Sequence, residues 1–274
     1  MPTLAVVGCG TMGRAIVTGL LDAGVLPADE VVATVRRDEA TFELEESLGV
    51  RVRVDNVAAA EAADVVLLAV KPQVAREVLC DPALQKALEG RLLISIAAGV
   101  RLGQIASWLP RTAIIRAMPN TPCTIREGMT VLSPGPLVEE EHVAFAQRVF
   151  GSVGRCRVLD EKYLDAVTAL GGSGPAFACV LLEAMADGGV MMGLPRDVAV
   201  EIAAQSMQGA ARLVLETGAH PAALKDAVTT PAGCTIAGLL TMEDGRIRST
   251  MARAIQEATQ VAGGLGQSDQ AGSR

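Results

Sequence analysis

The sequence is poor in aromatic residues, histidine and clustered cysteine, and each shortage excludes a kind of structure. Aromatic residues make up 2% of the 274 residues, so the core must be packed from Ala, Val, Leu, Ile and Met. The two histidines, His142 and His220, and six separated cysteines without a C-x-x-C pair offer little to a metal ion. We therefore expect no metal site, and cysteines that are free thiols packed as small apolar residues.

The sequence also lacks the charge and hydropathy patterns of proteins that bind nucleic acids or membranes. The net charge is −7 and no Lys/Arg cluster offsets it, which predicts no nucleic-acid partner. The first residues, MPTLAVVGCG, have neither the basic start nor the long apolar run of a signal peptide. Glu183 and Asp187 interrupt the apolar stretch AFACVLLEAMADGGVMMGL, which argues against a membrane span. A soluble, cytoplasmic protein is the resulting expectation.

The two halves of the chain have different hydrophobic patterns. The first half alternates short β-branched runs with helical stretches, and runs such as 65–70 and 92–97 are continuously apolar. Such runs are typical of strands covered on both faces, so the pattern predicts an α/β fold with a parallel, doubly wound sheet. After residue 160 the strand signal disappears and helical periodicity continues. We predict a first domain over 1–160, an all-helical domain over 161–264, and a loose tail over 265–274.

A glycine motif follows the first predicted strand. Gly8, Gly10 and Gly13 form the pattern G-x-G-x-x-G at the start of a predicted helix and of a βαβ unit. In this context the first glycine allows a tight turn, the second lets a pyrophosphate approach the backbone, and the third lets the helix pack on the strand. The helix N-terminus then supplies free N–H groups to the phosphates. The motif predicts a dinucleotide site on a Rossmann-type sheet.

The end of the second predicted strand indicates which dinucleotide is bound. An acidic residue there would suit a free ribose 2′-hydroxyl, but the chain has Thr34, Arg36 and Arg37. A hydroxyl and two guanidinium groups suit a 2′-phosphate, so we expect NADPH as the preferred cofactor, with NADH as an alternative. The other interpretation of the two arginines is that they are solvated loop charges.

Several segments together resemble a known family. They include VVGCGTMGRAI, LAVKPQV, ISIAAGV, IRAMPNTPCTIREGMTVL and, near the far end, LKDAVTTPAGCTIAGL, in this order along the chain. This set resembles pyrroline-5-carboxylate reductase, which completes proline biosynthesis by reducing a cyclic C=N bond with NAD(P)H. The resemblance covers the whole chain apart from the C-terminal tail. It implies a Rossmann-type domain, an all-α dimerisation domain, and homodimers that can assemble further into a decamer.

The resemblance also implies roles for individual residues. The residue matching Thr235 hydrogen-bonds the ring nitrogen of the substrate and is the catalytic candidate, while Thr230, Gly233 and Cys234 surround the substrate with it. Ser173, in the helix break GGSGPA, is a further substrate-binding candidate. The cofactor-binding candidates are Gly8, Gly10, Thr11, Met12, Gly13, Thr34, Arg36, Arg37, Asn56, Ala69, Val70, Lys71, Pro72 and Asn120.

Three alternatives remain open at this point. Thr230 or Thr235 could serve only as the N-cap of the following helix. Ala232 stands where glycine is usual in the family, which is harmless if its φ is negative and strained if it is positive. The chain could also reduce other cyclic imines, or be a non-catalytic NADP-binding sensor, although a sensor would not need the turn at 230–235.

Two more observations bear on the reaction and on assembly. No lysine lies between Lys162 and Lys225, so no helix lysine is available to protonate an alkoxide. A cyclic imine is basic enough to arrive protonated, and the absence of such a lysine therefore favours C=N over C=O reduction.

The helices over 196–217 and 245–262 have apolar residues on several sides, which predicts a second copy of the chain as partner.

Overall fold

The computed structural model describes residues 2–265, and the strands among them form one eight-stranded sheet. The strand order across the sheet is β3-β2-β1-β4-β5-β6-β7-β8. In chain order the strands are β1 Leu4–Val7, β2 Val31–Thr34, β3 Arg51–Arg53, β4 Val65–Leu68, β5 Leu92–Ser95, β6 Ala113–Met118, β7 Gly128–Pro134 and β8 Gly154–Val158.

Helices connect the strands and continue beyond them. In the described residues they are α1 Thr11–Asp22, α2 Glu39–Leu48, α3 Asn56–Glu61, α4 Pro72–Leu79, α5 Pro82–Leu88, α6 Leu102–Trp108, α7 Glu140–Gly151, α8 Leu164–Val167, α9 Gly174–Met191, α10 Arg196–Thr217, α11 Pro221–Ala227, α12 Cys234–Asp244 and α13 Ile247–Gly264. A π-helical segment, Thr168–Gly172, joins α8 to α9.

The strands β1 to β6 are mutually parallel, as the alternating pattern predicted. The last two strands differ: β7 runs antiparallel to β6, and β8 runs parallel to β7. The connection from β6 to β7 is the short 3-10 turn Thr121–Ile125, with no crossover helix. A short connection of this kind permits only an antiparallel neighbour. The sheet is therefore parallel over six strands and mixed at one edge.

Alternate residues of β1 enter two separate cores. Leu4 and Val6 join a cluster that includes side chains of α1 and α7. Ala5 and Val7 join a second cluster with side chains of α3, α4, α5 and α6. All four residues of β1 are buried. Helices cover both faces of the sheet, which is why its central strands are continuously apolar.

The sequence pattern missed one strand and one helix of this half. The strand β3 is only three residues long, and its central Val52 is buried between the exposed Arg51 and Arg53. That alternation is a half-buried edge-strand signal, but the segment is too short to stand out from the sequence. Helix α3 begins after Asp55, whose carboxylate accepts hydrogen bonds from Val57 N and Ala58 N at 2.9 and 3.0 Å.

The described chain divides into two compact units. A sheet unit comprises the described residues up to Gly172 together with those from Glu257 onward, and a helical unit comprises Ser173–Gln256. The compact units thus do not coincide with the predicted boundary at residue 160, because the segment up to Gly172 and the end of α13 group with the sheet. The predicted domain limits stay a prediction, and the predicted tail 265–274 lies, apart from Leu265, outside the described residues.

Within the helical unit, α9 and α10 pack along each other through small residues. A Cβ added at Gly189 would lie 3.2 Å from Ala199 Cβ, so the helices are as close as glycine allows. Gly218, with φ 65°, ends α10 in the left-handed conformation, and Pro195 directly precedes the helix.

One helical run of the chain is unusually apolar. The stretch Glu161–Met191 is long and apolar enough to cross a membrane, judged by length and composition alone, and 11% of its most apolar window is buried. Glu183 and Asp187 therefore do not by themselves exclude a span, contrary to the expectation from sequence. Buried helices of proteins without a membrane span pass the same test, and the absence of a membrane stays a prediction.

Candidate functional site

The predicted glycine motif forms a tight turn between β1 and α1. Gly8 has φ 82°, and a Cβ added to it would lie 2.5 Å from Val70 Cγ1. A Cβ at Gly13 would lie 3.4 Å from Val6 Cγ1, in the contact between helix and strand. At Gly10, in contrast, an added Cβ meets no atom within 4 Å. Two glycines thus serve packing, and the open space at Gly10 leaves its backbone accessible to a ligand.

A cavity of about 1130 Å³ lies beside this turn, within the sheet unit. The charged side chains that line it are all basic, which gives the cavity the electrostatic character of a phosphate site. The lining residues are Gly8, Cys9, Gly10, Thr11, Arg14, Ala15, Thr18, Gly19, Val35, Arg36, Arg37, Ala40, Lys71, Cys123, Thr124, Ile125 and Arg126.

The two arginines predicted to bind the ribose 2′-phosphate line this cavity. Arg36 and Arg37 follow β2 directly and both are exposed. Among residues 2–265 neither guanidinium has an ion pair or a side-chain hydrogen bond, whereas Arg14 lies 3.6 Å from a carboxylate oxygen of Glu43. Two unpaired guanidinium groups at a cavity wall are available to an anionic ligand.

Thr34 and Asn56 lie beneath the turn, and neither lines the cavity. Thr34 is 1% exposed, and its Oγ1 accepts a hydrogen bond from Gly8 N at 3.1 Å. The same hydroxyl donates to Asn56 Oδ1 at 2.7 Å. The sequence predicted that Thr34 contacts the cofactor. In the structure its hydroxyl is buried and hydrogen-bonded to Gly8 N and Asn56 Oδ1.

The loop after β4 forms part of the opposite wall. Ala69 N donates to Val7 O at 2.8 Å, which joins the loop to β1, and Val70 packs against Gly8. Lys71 lines the cavity, and Pro72 occupies the first turn of α4. Met12, although within the motif, packs against the core cluster of β1 and α1 and does not line the cavity.

The segment after β6 supplies a wall that the sequence did not assign to the cofactor. Cys123, Thr124, Ile125 and Arg126 line the cavity, and Arg126 is left-handed, with φ 60°, and pairs with Asp22 of α1. These residues lie more than a hundred positions from the glycine motif, and no local pattern links them to it. Arg14, by contrast, lies one turn into α1 and could have been found from helical spacing.

Asn120, a predicted cofactor ligand, has both ends of its side chain engaged. Its Nδ2 donates to Gly171 O at 3.0 Å, and its Oδ1 accepts from Met129 N at 2.8 Å. The amide thus ties the start of β7 to the π-helical segment before α9. The predicted contact of Asn120 with the cofactor stays a prediction.

The cysteines are free thiols, but they do not all pack as predicted. Cys9 is buried, and burial raises the pKa of its thiol to about 11, an effect that the charge of Arg14 only partly opposes. Burial also raises the pKa of the Cys123 thiol. Both are therefore neutral and poorly nucleophilic at pH 7. Cys80, Cys179 and Cys234 are exposed, which contradicts the expectation of six packed thiols. Cys179 and Cys234 belong to the helical unit, which leaves much of its surface uncovered, whereas Cys80 lies at the end of α4 in the sheet unit.

The predicted substrate residues belong to the helical unit. The segment between α11 and α12 is a turn in which Gly233 N donates to Thr230 O at 3.2 Å. A Cβ at Gly233 would lie 2.5 Å from Thr230 Oγ1, so a larger residue would require the Thr230 side chain to move. Ala232 has φ 55°, which answers the open question from the sequence: this alanine is held in the strained, left-handed region.

The start of α12 is not capped by a side chain. Its N-cap is Gly233, so neither Thr230 nor Thr235 has the capping role that the sequence left open. The first N–H groups of the helix have no partner within the helix. Thr235 is half-buried, and its hydroxyl has no hydrogen-bond partner among the described residues. Unpaired N–H groups and a free hydroxyl at a helix N-terminus can hold a carboxylate.

The helix break predicted at GGSGPA is a π-helical segment. Thr168–Gly172 has π-helical geometry, and α9 begins directly after Ser173. Ser173 O accepts hydrogen bonds from Ala176 N and Phe177 N at 3.0 and 3.3 Å, while its side chain caps nothing. Single π-helical turns are frequent at functional sites, which agrees with Ser173 as a candidate without testing it.

Residues 2–265 contain no group of three or more His, Cys, Asp or Glu side chains that could hold a metal ion. The charged lining of the cavity is basic and its two cysteines are neutral thiols. The donor set of the candidate site therefore suits an anionic organic ligand.

Comparison with known proteins gives two family matches along the chain. Residues 3–99 match the family described as NADP oxidoreductase, coenzyme F420-dependent, and residues 161–265 match the family described as pyrroline-5-carboxylate reductase dimerisation. The first range contains the glycine turn and both arginines. The second contains the turn before α12.

Individual relatives match over nearly their full length. A pyrroline-5-carboxylate reductase of Schizosaccharomyces pombe is 46% identical over 282 residues, covering 97% of this chain and all of that protein. The structure of a pyrroline-5-carboxylate reductase from Coxiella burnetii superposes with a TM-score of 0.90 at 33% identity, covering 95% of this chain and 97% of that one.

A third relative has a bound cofactor. The structure of Plasmodium falciparum pyrroline carboxylate reductase with NADP bound has a TM-score of 0.86 at 27% identity and covers 97% of this chain and 98% of that one. These matches extend over both units and include the motifs that the sequence singled out. The chain belongs to the pyrroline-5-carboxylate reductase family.

Proposed function

We propose that this chain reduces the C=N bond of L-1-pyrroline-5-carboxylate to give L-proline, with NADPH as the preferred reductant and NADH as a second one. The observation that carries the proposal is the uncapped start of α12, where the Thr235 hydroxyl has no protein partner. A chain that only bound the dinucleotide would have no use for this turn. Family membership supplies the reaction class.

The cavity of the sheet unit fits a dinucleotide. Gly10 leaves space where a side chain would stand, α1 directs its N-terminus there, and Arg36 and Arg37 are free to pair with a 2′-phosphate. Lys71 adds a further positive charge. When bound, the reduced dinucleotide supplies the hydride that the C=N carbon accepts.

The turn before α12 would hold the other reactant. The carboxylate of the substrate is an anion, and unpaired N–H groups at a helix start together with the helix dipole attract anions. The Thr235 hydroxyl can then hydrogen-bond the ring nitrogen and fix the face that the ring presents. Proximity and orientation of this kind lower the barrier without a covalent intermediate.

No strong acid is needed for this reaction. The imine nitrogen is basic and enters already protonated, so hydride addition yields a neutral secondary amine. The helical unit has one lysine, Lys225, and its ammonium is paired with Asp226 at 2.7 Å. This distinguishes the chain from dehydrogenases that use a helix lysine to protonate an alkoxide.

The helical unit would be completed by a second copy of the chain. Large apolar side chains of this unit are exposed, among them Met191 at 81% and Met192 at 79%. Such an apolar surface marks an association site, and closed two-fold pairing is the simplest way to cover it. We propose a homodimer that assembles further into a decamer, in the cytoplasm, without a membrane or nucleic-acid partner. Gel filtration at the monomer mass with full activity would refute the dimer.

A direct assay separates this function from its alternatives. The purified chain is mixed with NADPH and the five-membered pyrroline substrate, and cofactor oxidation is followed by its near-ultraviolet absorbance. We expect rapid oxidation with this substrate and slow oxidation with the six-membered ring analogue. Faster oxidation of the six-membered analogue would indicate a reductase of other cyclic imines. Tight NADPH binding without oxidation of either would indicate a sensor.

A further inference from the structure

The hydroxyl of Thr34 stands out because it is polar, buried and placed directly under the cofactor turn. Thr34 ends β2, and its next three neighbours along the chain, Val35, Arg36 and Arg37, all line the cavity. Thr34 itself does not line the cavity and is 1% exposed. Its role is therefore different from that of the residues that follow it.

Thr34 accepts hydrogen bonds from the first two residues of the turn. Its Oγ1 accepts from Gly8 N at 3.1 Å, and its carbonyl oxygen accepts from Cys9 N at 2.7 Å. Gly8 is the residue with φ 82°, a conformation that must be maintained by its surroundings. These two hydrogen bonds fix the position and orientation of the turn relative to the end of β2.

The same hydroxyl also orients Asn56. Thr34 Oγ1 donates its proton to Asn56 Oδ1 at 2.7 Å, which fixes the amide so that its NH2 group is the free end. Asn56 is the first residue of α3, whose start is capped by Asp55. One hydroxyl thus contacts both the glycine turn and Asn56, which the family resemblance implies is a cofactor-binding residue.

We propose that Thr34 is a positioning residue for the dinucleotide, which holds Gly8 and Asn56 in place without touching the 2′-phosphate. This inference rests on the proposed NADPH site. A direct contact and a positioning role predict different cofactor selectivity. A hydroxyl that binds the 2′-phosphate matters for NADPH alone, whereas a hydroxyl that shapes the turn matters for NADPH and NADH equally.

The test uses Thr34→Val, which keeps the branched shape and removes the hydroxyl. Dissociation constants for NADPH and NADH are measured by titration calorimetry on the assembled protein without substrate. We expect both constants to rise by a similar factor, roughly 10-fold, because Gly8 N and Asn56 Oδ1 lose a buried partner. At saturating NADPH the turnover number should stay near that of the wild type while the KM for NADPH rises. Thr34→Ser should restore both affinities.

The matched control is Thr112→Val. Thr112 is also buried in the sheet unit, and its hydroxyl donates to Leu88 O at 3.0 Å, but neither residue lines the cavity. Its removal should therefore leave both dissociation constants unchanged. Thr34→Cys offers the same comparison if Thr34→Val does not fold, since a thiol is a poor hydrogen-bonding group of similar size.

The outcomes separate this inference from the proposed function. A loss confined to NADPH, or no loss with either dinucleotide, would overturn the positioning role and leave the reductase proposal intact. Absence of dinucleotide binding by the wild-type chain would overturn both. A parallel loss that Thr34→Ser repairs supports the positioning role, because a general loss of stability would not be confined to cofactor affinity.

Discussion

The sheet unit and the helical unit bury their apolar residues to very different degrees. The sheet unit fully covers large side chains such as Phe150, Leu67 and Leu93, in two cores on the two faces of one sheet. In the helical unit the buried hydrophobic residues are Ala186, Ala199 and Ala203, all small. Large side chains of that unit, including Ile202 at 51% exposure, remain open.

The difference teaches that the cavity of the sheet unit and the turn of the helical unit depend on different kinds of support. The cofactor cavity is built by one chain, because its turn, its basic walls and its supporting core all belong to the sheet unit. The turn before α12 belongs to a unit whose apolar surface requires a partner. We infer that cofactor affinity depends on the single chain, while turnover depends on assembly.

The largest effect is expected from a charge on the apolar surface of the helical unit. Ile202→Glu places a carboxylate where we propose that a second copy packs, and a buried unpaired charge costs several kcal/mol. We expect monomers, with turnover reduced roughly 100-fold or more and NADPH affinity retained. Gel filtration and calorimetric titration measure the two quantities.

Phe42→Glu is the control for this change. Phe42 lies in α2 of the sheet unit and is 74% exposed, so a charge there should alter neither assembly nor turnover. If Ile202→Glu remains an active dimer, the helical unit does not depend on a partner at this surface.

The next effect concerns the two types of glycine in the cofactor turn. Gly8→Ala introduces a Cβ 2.5 Å from Val70 Cγ1 at a positive φ. We expect a loss of about 2–5 kcal/mol in unfolding free energy from overpacking and backbone strain, with much weaker NADPH binding. Gly10→Ala meets open space, so it should weaken NADPH binding without lowering Tm. Thermal denaturation with and without NADPH distinguishes the two variants. Equal Tm values for Gly8→Ala and Gly10→Ala without NADPH would contradict the different roles given to these glycines.

The turn of the helical unit is tested by Thr235→Ala. Loss of one positioned hydrogen bond to the substrate should reduce turnover by at least ~10-fold while leaving NADPH affinity unchanged. Thr241→Ala is the control, since Thr241 lies in the same helix and its hydroxyl bonds the carbonyl of Ala237. Turnover near normal in Thr235→Ala would remove this residue from the mechanism.

Cofactor selectivity in the sheet unit is tested by replacing Arg36 and Arg37 together with Gln. A charge-assisted bond contributes about 1.5–3 kcal/mol, so the KM for NADPH should rise roughly 10-fold or more. The KM for NADH should change little because that cofactor has no 2′-phosphate. Equal changes for the two cofactors would show that the arginines are solvated loop charges.

The smallest effect is expected at Ala232. A left-handed φ of 55° costs an L-residue about 1–2 kcal/mol of backbone strain. Glycine removes this strain, but it also raises the conformational entropy of the unfolded chain, which lowers stability by about 0.5–1 kcal/mol. Ala232→Gly should therefore raise stability slightly, as judged by denaturant unfolding. Ala237→Gly, inside α12, should lower it by about 1 kcal/mol. Destabilisation by both would argue against strain at Ala232.

Much of the fold was predictable because its signals are local. Continuous apolar runs indicated the buried strands, and the spacing of Gly8, Gly10 and Gly13 indicated the turn. The antiparallel direction of β7 was not predicted, because it depends on how the connection between β6 and β7 folds. The burial of the Thr34 hydroxyl was not predicted for a similar reason, because the side chain at the end of a strand can face either the cavity or the core.

The amino-acid sequence by itself determined the doubly wound sheet, the all-helical second half and the motifs that place the chain in its family. Each of these is specified by residue type and spacing over a short stretch. Tertiary structure alone decided which residues meet around the cavity. It brought Arg126 to the cavity wall, buried the Thr34 hydroxyl and left the Thr235 hydroxyl without a partner among the described residues. Contacts between distant segments depend on packing, and no local pattern encodes them.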